Sequence, residues 1–195
     1  MVVSPALPSL TDGVVVLREF ATDDAPALAA IWSDATIRAR NTVPEPSADA
    51  ARDWVAQVRA RAAAGEAWEW AIVDAASGEL AGRRALKELC WEQRRAVAAC
   101  WIAARFRGRR FAPRSLRLAA AHAFGQGVVR VHAECEIDNS ASIRSVLAAG
   151  MRHEGTLRAS YVTATGEALD QHVFGLLRED LEEAAAFAPP ELDDR

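Results

Sequence analysis

The chain has 195 residues, 51% of them hydrophobic and 26% charged, which suits one domain with a substantial core. A formal net charge of −4 argues against nucleic acid or an anionic membrane surface as the default partner. The longest apolar stretches, such as Ala96–Ala104, are too short to span a bilayer, and no signal peptide pattern opens the chain.

In chain order, residues 1–9 carry Pro and Ser and are expected to form a flexible tail. Asp12-Gly13 then turns into a strand, Val14–Leu17, that ends at Arg18. Thr22, Asp23, Asp24 and Pro26 read as an N-cap and acidic first turn of a helix bearing Leu28, Ile31 and Trp32. Pro44 and Pro46 stop helix, and Ser47 restarts one whose stripe is Trp54, Val55, Val58 and Ala62, ended by Gly65. Strands Trp68–Val73 and Leu80–Leu89 flank the turn signal Ser77-Gly78 and predict a hairpin. Arg94-Arg95 leads into Ala96–Ala103, apolar throughout and so expected to be buried on both faces. An Arg-rich loop, a helix from about Pro113 to Phe124, and a strand Val128–Ile137 follow. Asn139-Ser140 opens a helix ending at Gly150, then strands Met151–Ala159 and Ala168–Leu176 flank a Thr165-Gly166 turn. Arg178–Phe187 predicts an acidic helix, and the last residues, 188–195, a disordered tail. The order implies α+β, a mixed sheet with helices on its faces, as one domain over 10–187.

Arg105, Arg107, Arg109, Arg110, Arg114 and Arg117 crowd the loop and first turns of the helix that follow the apolar strand. Amides at a helix N-terminus carry partial positive charge and bind phosphate, Gly108 permits close backbone approach, and guanidinium groups can pair with further phosphates. A solvated basic edge and a nucleic-acid patch are the other readings of the same cluster, and the strand–loop–helix placement favours a phosphorylated cofactor. A Rossmann fingerprint and a P-loop are both absent. Cys90, Cys100 and Cys135 lack CxxC spacing and read as thiols in a reducing, cytoplasmic compartment. His122, His132, His153 and His172 lack metal-ligand spacing, so no metal is expected.

Cys100-Trp101-Ile102-Ala103, then Arg107-Gly108-Arg109-Arg110-Phe111-Ala112, then Ser115-Leu116, resembles the acyl-CoA-binding motif of the GNAT superfamily, closest to the RimJ/RimL branch. Other segments fit in order: Val16-Leu17-Arg18 with Asp23-Asp24, Trp32-Ser33-Asp34, Ser77–Gly82, Asp138–Ser142 with Leu147 and Gly150-Met151, and Tyr161, Gly166 and Asp170. The resemblance covers roughly 10–180 and implies a mostly antiparallel sheet of six to seven strands, helices on both faces, and a splayed strand pair. It implies that the amides of Arg107, Gly108, Arg109, Arg110, Phe111 and Ala112 bind a CoA diphosphate. It also implies that the strand ending at Trp101 and Ile102 parts from 128–137, leaving a pantetheine slot lined by Asn139 and Ser142. The family usually has Gly where Arg110 stands, so the loop either keeps its path, with Arg110 adding a guanidinium, or is distorted. Ala99-Cys100 replaces a Gly-Tyr, and Val97 lies near a common carboxylate position.

The chemistry implied is acyl transfer, most simply from acetyl-CoA, to a primary amine of a protein N-terminus or small molecule in a ternary complex. Glu134 matches the base of RimI-type relatives, where partial burial would raise its pKa, and Glu136, two residues on, is the fallback. Their thiolate-protonating Tyr matches Val146, so Ser142 or Tyr161 takes that role, Ser142 having a helix cap and Tyr161 a packing role as alternatives. Trp32 and Trp70, with Tyr161, are candidates for lining the acceptor pocket. Other readings are succinyl-CoA or another donor on the same fold, and a CoA-binding regulatory module without catalysis. A homodimer through the C-terminal strands is implied by resemblance, and no nucleic acid or membrane partner is expected.

Overall fold

The computed structural model describes residues 7–163 and 166–186; the expected tails at 1–6 and 188–195, and Thr165, lie outside them. Leu7 and Pro8, expected in the tail, are tied down: the Leu7 amide donates to Glu19 at 2.9 Å and the Pro8 carbonyl accepts from Trp70 Nε1 at 3.2 Å. Strands β1 (Leu10–Thr11) and β2 (Val15–Arg18) precede helices α1 (Ala25–Trp32), α2 (Ala35–Arg40) and α3 (Ala48–Ala63). Then come β3 (Trp68–Asp74), β4 (Leu80–Cys90), β5 (Arg95–Ile102), α4 (Phe111–Gly125), β6 (Arg130–Glu136), α5 (Ser140–Ala148), β7 (Arg152–Val162), β8 (Ala168–Leu176) and α6 (Arg178–Ala186).

One eight-stranded sheet runs β1-β2-β3-β4-β5-β6-β8-β7, antiparallel at every neighbour except the parallel pair β5–β6. The expected six to seven strands become eight because β1, two residues long, is too short to show alternation. The single helix expected from Thr22 is broken at Ser33-Asp34, where Asp34 caps α2 by accepting from the Thr36 amide at 2.8 Å. Thr22 caps nothing; Asp24 instead accepts from the Ala21 amide and, bidentately, from Arg18.

Two cores sandwich the sheet. One, under α4 and α5, takes Trp68, Trp70, Ile72, Leu86, Ala96, Ala98, Leu116, Val131 and Cys135; the other, under α1 and α3, takes Trp32, Val55, Ala71, Val73 and Trp101. Each large side chain so buried contributes about 1.5–3 kcal/mol. Strand β5 was expected to be buried on both faces, yet only Ala96, Ala98, Trp101 and the following Ala103 are fully buried, while Val97 and Ala99 are half-buried. These half-buried positions lie on the side of β5 that faces the α1 and α3 layer, where its cover is thinner. Among the described residues no helix is long and apolar enough to cross a membrane.

Candidate active site

The parallel pairing of β5 with β6 covers only Arg95↔Arg130, Ala96↔Val131 and Val97↔His132. Beyond it β5 continues on β4 as far as Gly82↔Ile102, while β6 continues on β8 as far as Glu136↔Gln171. The two strands therefore part after Val97 and His132, and a gap opens between 98–102 and 133–136. Antiparallel pairing alternates the direction of successive amides. The Ala103 amide donates to Ala81 O at 2.8 Å, so those of Trp101 and Ala99 also face β4, and those of Ile102 and Cys100 face the gap. Gly82 lets β4 and β5 approach closely beside the gap: a Cβ there would stand 2.3 Å from the Trp101 carbonyl oxygen.

At the end of β5, the turn 107–110 leads into α4. Phe106 and Phe111, both buried, meet edge to face at 5.4 Å and pin the two ends of the turn. Gly108 has φ +77°, and Arg110 adopts φ 60°, ψ 18° as the N-cap of α4. The turn thus keeps a left-handed residue where a Gly would be expected, and Arg110 accepts the strain of supplying it. Among the described residues, the amides of Gly108, Arg109, Arg110, Phe111 and Ala112 find no acceptor, and the first bond of the new helix is Arg114 N–H to Arg110 O at 3.2 Å. Five N–H groups at a helix mouth are an arrangement able to hold an anion. Phe111 offers only its amide, because its side chain is buried.

Most of the loop's guanidinium groups are already engaged. Arg105 pairs with Glu79 at 2.9 Å, Arg107 with Asp34 at 2.6 Å and with Ile102 O at 3.1 Å, and Arg114 with Asp12 at 2.8 Å. Arg109 reaches Asp74 at 3.2 Å and lies over the rings of Phe106 and Phe111 at 5.2 and 5.0 Å. Arg110, exposed, makes no such contact among the described residues. The cluster is therefore a largely braced turn in which, among the described residues, Arg110 and, farther along α4, Arg117 make no ion pair, unlike an open basic face awaiting nucleic acid.

Sequence reasoning missed Arg84. Its side chain leaves β4 toward α4, 3% exposed, and donates to Ala112 O at 2.7 Å and to Ser115 Oγ at 3.0 Å. A weaker contact reaches Ala99 O at 3.4 Å. Two adjacent arginines in the otherwise uncharged stretch 80–86, and Ser115 in the first turns of α4, were the signals available.

On the opposite face of the sheet, β6 presents His132, Glu134 and Glu136. Glu134 is exposed and, among the described residues, makes no ion pair, so the expected partial burial is not found. Glu136 instead forms the ion pair, with Arg40 at the end of α2, and Arg40 also holds Asp138 at 3.1 Å through both its terminal nitrogens. That bridge from α2 to the end of β6 was not foreseen. Asn139 caps α5 by accepting from the Ser142 amide at 3.1 Å, so Ser142 is not the cap; its hydroxyl lies 3.1 Å from Cys135 Sγ. Val146 is buried in the α5 core.

Tyr161, half-buried, pairs with Leu169 on the outer strand β7, whereas Glu134 pairs with Val173. One intervening strand, β8, and four register positions along it separate them, so they do not form one cluster. Trp32 and Trp70 are both 0% exposed and lie in different cores on opposite faces. The structure corrects their expected place in an acceptor pocket: their large apolar surface is spent on packing. Cys135 is buried, and burial pushes its thiol up. Among the described residues no group of three or more His, Cys, Asp or Glu is placed to hold a metal.

The family described as an acetyltransferase (GNAT) domain matches residues 15–152. The uncharacterized N-acetyltransferase p20 of Bacillus licheniformis is 25% identical over 168 residues, 85% of this chain and 94% of that one. Among solved structures, Mycobacterium smegmatis RimJ in complex with CoA-disulfide superposes with a TM-score of 0.80 at 23% identity, over 92% of this chain and 90% of RimJ. The Microcin C7 self immunity acetyltransferase MccE, in complex with acetyl-CoA and AMP, gives 0.76 at 19% identity, over 86% and 93% of the two chains. At such identities the two structures speak for the fold.

Proposed function

The chain belongs to the GNAT acetyltransferase domain family, and from that premise we propose that it transfers an acyl group, acetyl in the first instance, from acyl-CoA to a primary amine by direct attack. One observation carries the reading: the gap between β5 and β6 opens beside a turn whose five amides are unpaired. These residues fit the co-substrate. The amides of 108–112 and the Arg110 guanidinium take the diphosphate, and the gap takes the pantetheine arm, with the Ile102 and Cys100 amides facing it.

The slot makes two diffusing reactants neighbours, which supplies much of the rate. An inward amide, that of Ile102 or Cys100, stabilises negative charge developing on the carbonyl oxygen, a contribution of about 10²–10³ in acyl-transfer enzymes. Glu134, exposed and unpaired on the face opposite α4, accepts the ammonium proton directly or through a water. Ser142, at the first turn of α5 and half-buried, is the proton donor to the departing thiolate, and Asn139 fixes that turn. The carboxylates of Glu134, Glu136 and Asp138 at this end of β6 favour a cationic acceptor, such as a peptide N-terminus or a small amine. β7 leaves an open, mostly exposed sheet edge through which two copies can pair.

Thermal denaturation with and without acetyl-CoA is the direct test, followed by thiol release across a panel of peptides and small amines. A melting temperature that rises with acetyl-CoA, and thiol release with at least one amine, are expected. No shift at saturating acetyl-CoA overturns the reading; a shift without thiol release from any amine leaves a binding module.

A further inference from the structure

We infer that Arg84 is a buried counter-cation of the diphosphate site, a positive charge beneath the α4 mouth that is balanced only when a polyanion occupies the amides above it. The inference rests on the acyl-CoA reading and adds to it a residue that touches no ligand.

Three observations carry it. The guanidinium is 3% exposed, and all its acceptors (Ala112 O, Ser115 Oγ and Ala99 O) are neutral. No Asp or Glu approaches it within ion-pair distance among the described residues, although its neighbour in sequence, Arg83, shares the buried Glu69 carboxylate with Arg61. The acceptor it holds most closely, Ala112 O at 2.7 Å, belongs to the first turn of α4.

A cation is ordinarily excluded from such a place twice over. Burial strips its hydration without an opposite charge to replace it, and the positive end of the α4 dipole repels it. Cys100, the one group beside it among the described residues that could become an anion, does not neutralise it: burial pushes its thiol up, and Arg84 only partly opposes that. An anion seated on the amides of 108–112 relieves both penalties at once. The attraction crosses protein interior, so solvent ions screen it little. The Arg84 bonds also hold the Ala112 carbonyl and so aim the α4 amides, making Arg84 a positioning residue as well as a source of field.

The test compares the wild type with Arg84→Met and Arg84→Lys, using calorimetric titration with CoA and with inorganic pyrophosphate at low and high salt, alongside the melting temperature without ligand. Methionine fills the volume and orphans no buried polar atom, because Ser115 Oγ still donates to Ala112 O at 2.9 Å. Arg84→Met should therefore melt, without ligand, at or above the wild-type temperature. Its affinity for both probes should fall by about tenfold or more, by the same factor at low and high salt. Arg84→Lys should keep most of the affinity. Should Arg84→Met not fold, Arg84→Gln, neutral but able to donate to Ala112 O, carries the same expectation.

Wild-type affinity in the folded neutral variants overturns the inference. So does equal weakening in the Lys and neutral variants with a lowered ligand-free melting temperature, since that marks a purely structural residue. A wild type that binds neither CoA nor pyrophosphate sinks the acyl-CoA reading and this inference together, whereas binding by wild type and Arg84→Met alike sinks this inference alone.

Discussion

Arg83 and Arg84 are adjacent on β4 and point to opposite faces of the sheet, and the two faces treat a guanidinium differently. Toward α3, Arg83 lies over the Trp54 ring at 5.8 Å and shares with Arg61 the carboxylate of Glu69, itself 3% exposed. Burial alone would raise the Glu69 carboxyl, but Arg83 and Arg61 outweigh it and hold it below its usual range. Toward α4, Arg84 has backbone and hydroxyl acceptors only. One face balances its charge internally for the sake of the fold, and the other leaves a charge for a ligand to balance. Chemically identical neighbours thus serve stability on one side and binding on the other.

The largest expected effect breaks the balanced face. Arg83→Met leaves the Glu69 carboxylate with Arg61 alone, and should cost about 3 kcal/mol in urea denaturation, against a neutral or stabilising Arg84→Met. A pH series sharpens the contrast. The folded pKa of Glu69 is depressed, so its contribution is complete above the ordinary value of 4.5 and is lost as the pH falls through the lower folded value. The wild type should lose stability in that acid window more steeply than Arg83→Met; parallel acid profiles would mean the ion pairs contribute nothing.

Next in size is the chemistry on the acceptor side. Glu134→Gln should lower kcat/KM by about 10²-fold with CoA affinity unchanged, while Arg40 holds Glu136 in its ion pair, so Glu136→Gln should do far less. Steady-state kinetics with the best amine from the panel decides it. Equal losses for the two variants would remove Glu134 from its role as base.

The two sides also differed in how far the sequence revealed them. The turn proposed for the diphosphate is made of main chain, and Gly108 with a helix start expected near Pro113, two residues after the observed start at Phe111, announced it, because glycine and helix termini constrain backbone whatever surrounds them. The parting of β5 and β6 came by resemblance, because where a strand pair stops depends on the register of segments distant in sequence, which no local pattern describes. The acceptor side depends on tertiary placement. Trp32 and Trp70 looked available for a pocket until two separate cores enclosed them, and α2 escaped notice because six residues carry too little periodicity. Arg84 was invisible as a functional residue: alternation says that adjacent residues face opposite ways, and only the packing says which face lacks a carboxylate.

The smallest effect separates the exposed cation of the turn from the buried one. Arg110 pays for its left-handed conformation, so Arg110→Gly should relieve about 1–2 kcal/mol of backbone strain, partly offset by the greater freedom of Gly in the unfolded chain. A net gain of about 0.5–1 kcal/mol in urea denaturation is expected. The same variant removes an exposed guanidinium that has no partner among the described residues, and so should weaken CoA binding several-fold at low ionic strength. That loss should fade as salt shortens the screening length from about 10 Å at 0.1 M toward about 3 Å at 1 M, unlike the loss in Arg84→Met. Unchanged affinity at low salt would make Arg110 merely a substitute for glycine, leaving the amides and the buried charge to hold the diphosphate.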